Sequence, residues 1–227
     1  MKYICLLLIF IALQGFSMGE GNNIDWGFIS SLEGNNLVGD VPDIEGSNSG
    51  VTIATGLDLG ARKIGDLAGL PPHIIEAFTP YLQLKKQAAK NKLDKSPLTI
   101  SEEDSKIVAA WTKKQEYNKL TTRWKKDTGT DFSTVPSHKA TVIASVMYQM
   151  GTNAPNFWKQ VTENKGTGNW DSAVINLRNF DGPGKDSRYQ TRRDKEADYF
   201  LTRKDNSISG LQADSWVDKL IGAVSGR

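Results

Sequence analysis

Ser49-Gly50-Val51-Thr52-Ile53-Ala54-Thr55-Gly56-Leu57-Asp58-Leu59-Gly60 is the stretch whose reading decides the fold. The β-branched run Val51-Thr52-Ile53 predicts a strand, and Gly56 permits the tight turn that follows it. Working outward, Gly39, Pro42, Gly46, Gly50 and Gly60 extend this hairpin character over residues 35–60. Ahead of it, Ile24, Phe28 and Leu32 recur at helical spacing behind Asp25, a good N-cap. The spacing predicts a short helix over 25–33, stopped by Gly34, with Glu33 at its end.

Behind the hairpin the periodicity turns helical and stays so. Pro71-Pro72 opens one helix, and Ser101 followed by Glu102, Glu103 and Asp104 opens a long one. Ile107, Ala110, Trp111, Lys114 and Tyr117 mark the expected inward stripe of that long helix, and its Lys-rich end from Lys113 to Lys126 suits the helix dipole. Ser137 is expected to cap a buried helix through Val142, Val146 and Tyr148 that ends at Gly151. Asn169 caps another over Trp170 to Leu177, and two more are expected over 187–202 and 210–224. One short β region followed by about seven helices is an α+β class, predominantly helical.

Composition narrows the function. Lys2 precedes the apolar run Tyr3 to Leu13, and small residues follow at Gly15, Ser17 and Gly19: the layout of a secretory signal cleaved after 17 or 19. The run is shorter than the roughly 18 apolar residues of a membrane anchor. The only cysteine, Cys5, lies inside this segment, so the mature chain is expected to use neither a disulfide nor a thiolate. With only His73 and His138 as histidines, no metal site and no cofactor are expected. From Glu20 to Pro80 nine acids face two bases, a balance of −7; from Lys85 to Lys126 twelve bases face five acids, a balance of +7. That asymmetry suits a neutral-to-anionic polymer such as a bacterial wall. No phosphate loop, serine elbow or metal-binding spacing appears, and the Lys-rich helix lacks a nucleic-acid motif. Trp158, Trp170 and Trp216 are expected in the core, while Trp26 and Trp111 are left open between core and sugar stacking.

Glycosidic hydrolysis needs one carboxyl to protonate the departing oxygen and a second group that activates water or attacks the sugar. Glu33, where a helix runs into a loop, is placed to line a cleft. Thr52 on a strand and Asp58 after the turn can both project toward it, and a threonine with an aspartate can hold one water. Their ordinary alternatives are a β-former and a turn residue.

The glutamate followed by Gly-Val-Thr-Ile-Ala-Thr-Gly-Leu-Asp-Leu-Gly resembles the pesticin-type lysozyme domain, a branch of the phage-type lysozymes. Tyr148-Gln149-Met150-Gly151 is similar to a Phe-Gln-Met-Gly step of that family, Asn169-Trp170-Asp171 through Leu177 to its Trp-Asp helix, and Arg192-Arg193 with Glu196-Ala197 and Phe200 to its Arg-Arg helix. The resemblance is collinear from about residue 25 to 203 and implies a two-lobed lysozyme-like fold, with a small β-hairpin amino lobe, a long connecting helix and a helical carboxyl lobe around a saccharide cleft. It divides the chain into a signal over 1–19 and one domain over 20–227, with the β-bearing lobe at 20–62 and the helical part at 63–227. The segment 61–135 is longer than in short phage lysozymes, and no motif explains it.

Carried over by resemblance, Glu33 is the catalytic acid, Thr52 the cleft threonine and Asp58 the aspartate of the pesticin branch. Phage lysozymes place the aspartate ahead of the threonine, a position Asp43 or Asp40 can fill here. Gln149 and Tyr148 line the saccharide cleft, and Arg192 or Arg193 pairs with Glu33. The resemblance implies a muramidase whose partner is bacterial peptidoglycan; with the signal-like leader, the expectation is a secreted, extracellular or periplasmic monomer without nucleic-acid or membrane partners. It implies inversion, which needs carboxyls roughly 6.5 to 9.5 Å apart. A lytic transglycosylase and an inactive wall-glycan binder are the rival readings.

Overall fold

The computed structural model describes residues 23–180 and 187–204, so the expected signal segment, Trp216 and the helix expected over 210–224 lie outside the described residues. Helix α1 (Trp26–Leu32) starts where Asp25 Oδ1 accepts from Phe28 N at 2.9 Å. It ends one residue sooner than Gly34 predicted. Glu33 itself is extended (φ −93°, ψ 148°), while its N–H still reaches the carbonyls of Ile29 and Ser30. A three-stranded antiparallel sheet follows in the order β1 (Asn36–Asp40), β2 (Thr52–Ala54), β3 (Leu57–Asp58).

Val41, Val51, Ile53, Leu57 and Leu59 are buried, and their core is completed by helices α2 (Pro72–Phe78) and α3 (Lys86–Lys95) through Ile74, Phe78, Ala89 and Leu93. Residues 98–100 run along the outer edge of β1, with Gly39 N donating to Leu98 O at 2.8 Å and Ile100 N to Leu37 O at 2.9 Å. The long segment after residue 62 therefore has a structural purpose. Three short strands cannot bury a core alone, and α2 and α3 supply the missing apolar faces.

Helix α4 (Glu102–Thr128) joins two cores. Ser101 Oγ accepts from Asp104 N at 3.0 Å at its start, and Gly129 closes it in the left-handed region at φ 74°. Its buried positions are Ser105, Val108, Trp111, Thr112, Leu120, Trp124 and Thr128, which corrects the stripe expected from periodicity. Ile107 and Tyr117 are only partly buried, and Lys114 is exposed. The reason is that Val108 and Trp111 serve the amino-lobe core while Leu120 and Trp124 serve the other, so no single stripe runs the whole length.

The carboxyl lobe is built from α5 (Ser137–Met150), α6 (Pro155–Gly166), α7 (Trp170–Arg178) and α8 (Ser187–Lys204). Pro136 occupies the cap position of α5, and Ser137 is its first helical residue with no cap bond, correcting the expected serine cap. Asn169 does cap α7, accepting from Ser172 N at 3.1 Å. Trp158 and Trp170 are core residues as expected, and Trp26 and Trp111, left open by sequence, are buried as well.

Although first in sequence, α1 packs on this second core through Trp26 and Ile29. Asn23 Nδ2 donates to Phe132 O at 2.9 Å, and Tyr199 OH donates to Asp25 Oδ2 at 3.0 Å. From Asn23 the described chain thus starts on the carboxyl lobe, builds the amino lobe and returns along α4. Glu33 stands where it first crosses.

Candidate active site

The extended backbone at Glu33 directs its carboxyl to α8, where Arg192 Nη1 lies 2.7 Å from Oε1. Of the two adjacent arginines, Arg192 is the one that meets Glu33. The contact is a close ion pair rather than an aligned hydrogen bond: Oε1 is sealed from solvent yet has no hydrogen-bond partner of proper angle. The Glu33 side chain is 17% exposed, so the carboxyl sits at a wall rather than in the interior.

Arg192 is fixed on its other edges. Nε faces Glu196 Oε1 at 3.2 Å, and Nη2 donates to Ser145 O and Oγ, each at 3.2 Å. Glu196 also lies 2.7 Å from Arg193 Nη1, and Arg193 Nη2 donates to Gln149 Oε1. Burial pushes the Glu196 carboxyl up, while Arg193, Arg192 and Ser145 oppose that shift. Burial likewise pushes the Arg193 guanidinium down, against the pull of Glu196.

On the sheet, Thr52 is the cross-strand partner of Asp40 on one side and of Asp58 on the other. Directly opposed residues of antiparallel strands project from the same face, so a threonine stands between two carboxylates. Val51 and Ile53 alternate to the buried face. Asp58 does more than project. Its Oδ1 accepts from Gly50 N at 3.0 Å and Gly60 N at 2.8 Å, while Oδ2 makes no hydrogen bond among the described residues. Asp43, the other alternative, spends Oδ1 on Gly46 N at 2.8 Å and builds the turn after β1. Asp40 is exposed and commits to no such turn.

Tyr148 links the two walls. Its hydroxyl lies 3.3 Å from Thr55 Oγ1 and donates at 3.3 Å to Thr55 O, at the tip of the β2–β3 turn. Burial pushes the phenol up to about 12, with Glu33 and Glu116 adding to the rise, so the hydroxyl keeps its proton and remains a donor. Gln149, the next residue, is exposed and held by Arg193. From α4, Lys113 Nζ donates to Ser30 Oγ at 2.7 Å and lies 5.9 Å from the Trp26 ring centroid. Burial lowers its pKa and the Glu33 charge acts against that. A cavity of about 150 Å³ between α4 and α5, lined by Trp26, Tyr117, Leu120, Met147 and Tyr148 among others, meets this site at Tyr148 and Trp26.

The structure therefore brings Glu33, Arg192, Arg193 and Gln149 into one connected network and sets Thr52 and Asp58 side by side on the sheet. No bond joins Glu33 directly to Thr52 or Asp58 among the described residues; Tyr148 and the hairpin tip are what connect the halves. Sequence reasoning gave no role to Ser145, Lys113 or Thr55, and named Glu196 only as part of a motif. Its spacing of three and four residues from Arg193 and Arg192 was the available sign.

Residues 23–167 match the family described as "Pesticin: Bacterial toxin homologue of phage lysozyme, C-term". No curated protein matches the chain.

Proposed function

Because the chain belongs to the pesticin family of phage-lysozyme homologues, we propose that it is a muramidase hydrolysing the β-1,4 linkage between N-acetylmuramic acid and N-acetylglucosamine in bacterial peptidoglycan. The single observation that carries the assignment of roles is the Glu33 carboxyl at the wall between the two lobes, with Oε1 in a 2.7 Å ion pair to Arg192 and Oε2 making no hydrogen bond among the described residues. Glu33 Oε2 then protonates the departing glycosidic oxygen, and Arg192 keeps the carboxyl aimed as its charge develops.

Asp58 Oδ2 and the Thr52 hydroxyl hold the water that attacks the opposite face of the sugar, giving inversion. Tyr148 and Gln149 bind the saccharide on the carboxyl-lobe side. The apolar leader at residues 3–13 supports export, so the enzyme works outside the cytoplasm, as a monomer, on the wall itself. Among the described residues no helix is long and apolar enough to cross a membrane.

Digestion of purified peptidoglycan by the wild type and by Glu33→Gln tests this reading. The amide keeps the shape but cannot give up a proton, so release of new reducing ends should fall at least about 100-fold. Undiminished release by Glu33→Gln would end it. One observation favours a second reading: Asp58 Oδ1 is committed to two backbone N–H groups, which leaves half of a carboxylate for water. A lytic transglycosylase needs no such water, and anhydro ends in the mass spectrum of the digest would select it.

A further inference from the structure

We propose that Glu196 is a positioning residue for the acid: through Arg192 it sets the orientation of, and the charge beside, Glu33, and through Arg193 it holds Gln149 at the cleft. This rests on Glu33 being the acid of the proposed reaction. Glu196 is fully buried on α8; among the described residues its Oε1 accepts from Ser145 Oγ and from Arg192 Nε at 3.2 Å, and its Oε2 forms an ion pair with Arg193 Nη1 at 2.7 Å. The two guanidiniums favour its charged form, against burial, which pushes the carboxyl up.

That carboxylate and Ser145 occupy Nε and Nη2 of Arg192, leaving Nη1 to Glu33 at 2.7 Å. The planar guanidinium cannot turn without breaking these contacts. With both carboxyls ionised, the charges of Glu33, Arg192, Arg193 and Glu196 would sum to zero. Making Glu196 neutral leaves Arg192 and Arg193 less compensated beside Glu33, which opposes the proton a general acid must carry.

Among the described residues, the other charged groups around the cluster are few. Lys113 and Glu116 of α4 and the phenol of Tyr148 on α5 act on the Glu33 side, and Arg178 of α7 pairs with Asp194 and Asp198 on a different face of α8. Among the described residues none of them contacts Glu196.

The test is the pH profile of kcat/KM for lysis of purified peptidoglycan by the full chain, comparing wild type, Glu196→Gln, Glu196→Asp and Glu33→Gln, with folding followed by circular dichroism. The alkaline limb of Glu196→Gln should move to lower pH by roughly one unit, and Glu196→Asp should recover part of the shift. An unmoved limb, or a uniform loss at every pH matching the loss of folded protein, overturns the proposal. Should Glu196→Gln fail to fold, Ser145→Ala takes its place: it removes a donor to Glu196 and should move the limb the same way by less, and an unmoved limb in folded Ser145→Ala is equally fatal. Activity retained by Glu33→Gln removes the acid itself, whereas an inactive Glu33→Gln beside an unmoved Glu196→Gln limb removes only the positioning role.

Discussion

Asp58 divides two jobs between its oxygens. Oδ1 ties Gly50 to Gly60, and in the proposed mechanism Oδ2 holds the water. The isosteric Asp58→Asn change separates them, since an amide oxygen still accepts both N–H bonds but has no charge with which to draw a proton from water. The thermal midpoint should stay within a few degrees of wild type while wall lysis falls about 100-fold or more. A large drop in midpoint would mean the charge, not the acceptor, holds the turn. Arg192 is the opposite case. Its loss in Arg192→Ala leaves Glu196 buried and undercompensated, so urea unfolding should show a destabilisation of about 3–5 kcal/mol in addition to lost activity. Glu33, Thr52 and Asp58 were picked out because residue types in order resemble a family motif, and the sheet does set Thr52 beside Asp58. Which of two neighbouring arginines reaches Glu33 was not legible. Consecutive helical residues point about 100° apart, and only the packing of α8 on α5 decides which one faces the acid.

At the level of elements, the hairpin was readable from its glycines, but the reason for two of them appears only in three dimensions. Gly50 and Gly60 lie back to back: a Cβ on Gly60 would stand 2.6 Å from the Gly50 Cα and 2.5 Å from Leu84 O. Backbone on both sides cannot yield as a flexible side chain would. Gly60→Ala should therefore cost on the order of 2–4 kcal/mol in chemical denaturation, against about 1 kcal/mol for Gly56→Ala, where φ is +91° but the space is open. Equal costs at the two positions would show that close approach is not the constraint. Helices were legible where caps and apolar spacing agreed, as at Asp25, Ser101 and Asn169. Helices α3 and α6 were not foreseen because the former buries only Ala89 and Leu93 among its lysines and the latter only Phe157, Trp158 and Val161, too few contacts to impose a period.

Across the whole molecule, two cores share one long helix, and α4 changes partner between Trp111 and Leu120. A two-lobed plan was expected from resemblance alone, since periodicity reports that a face is apolar but not which of two cores it joins. The same blindness hid the fact that α1 belongs to the carboxyl lobe. What ties the hairpin tip back to α5 is the Tyr148 hydroxyl on Thr55, and that group carries a pH signature. An unburied phenol titrates near about 10. In the folded protein burial raises it to about 12. A raised folded value means that the native state holds its proton more tightly than the unfolded chain. The stabilisation is therefore complete below about pH 10 and is lost as pH climbs through about 12. Over that window wild type should lose on the order of 2 kcal/mol more stability than Tyr148→Phe, which has no proton to release there. Tyr117, whose phenol burial also raises, titrates alike in both proteins and cancels from the comparison. At neutral pH the order reverses in meaning: Tyr148→Phe lacks the bond to Thr55, so it should be the less stable protein by about 1 kcal/mol, with the lobes closing less tightly in small-angle scattering. Urea unfolding of both proteins at neutral and strongly alkaline pH measures both differences, and identical alkaline losses would show that Tyr148 is not held between the lobes.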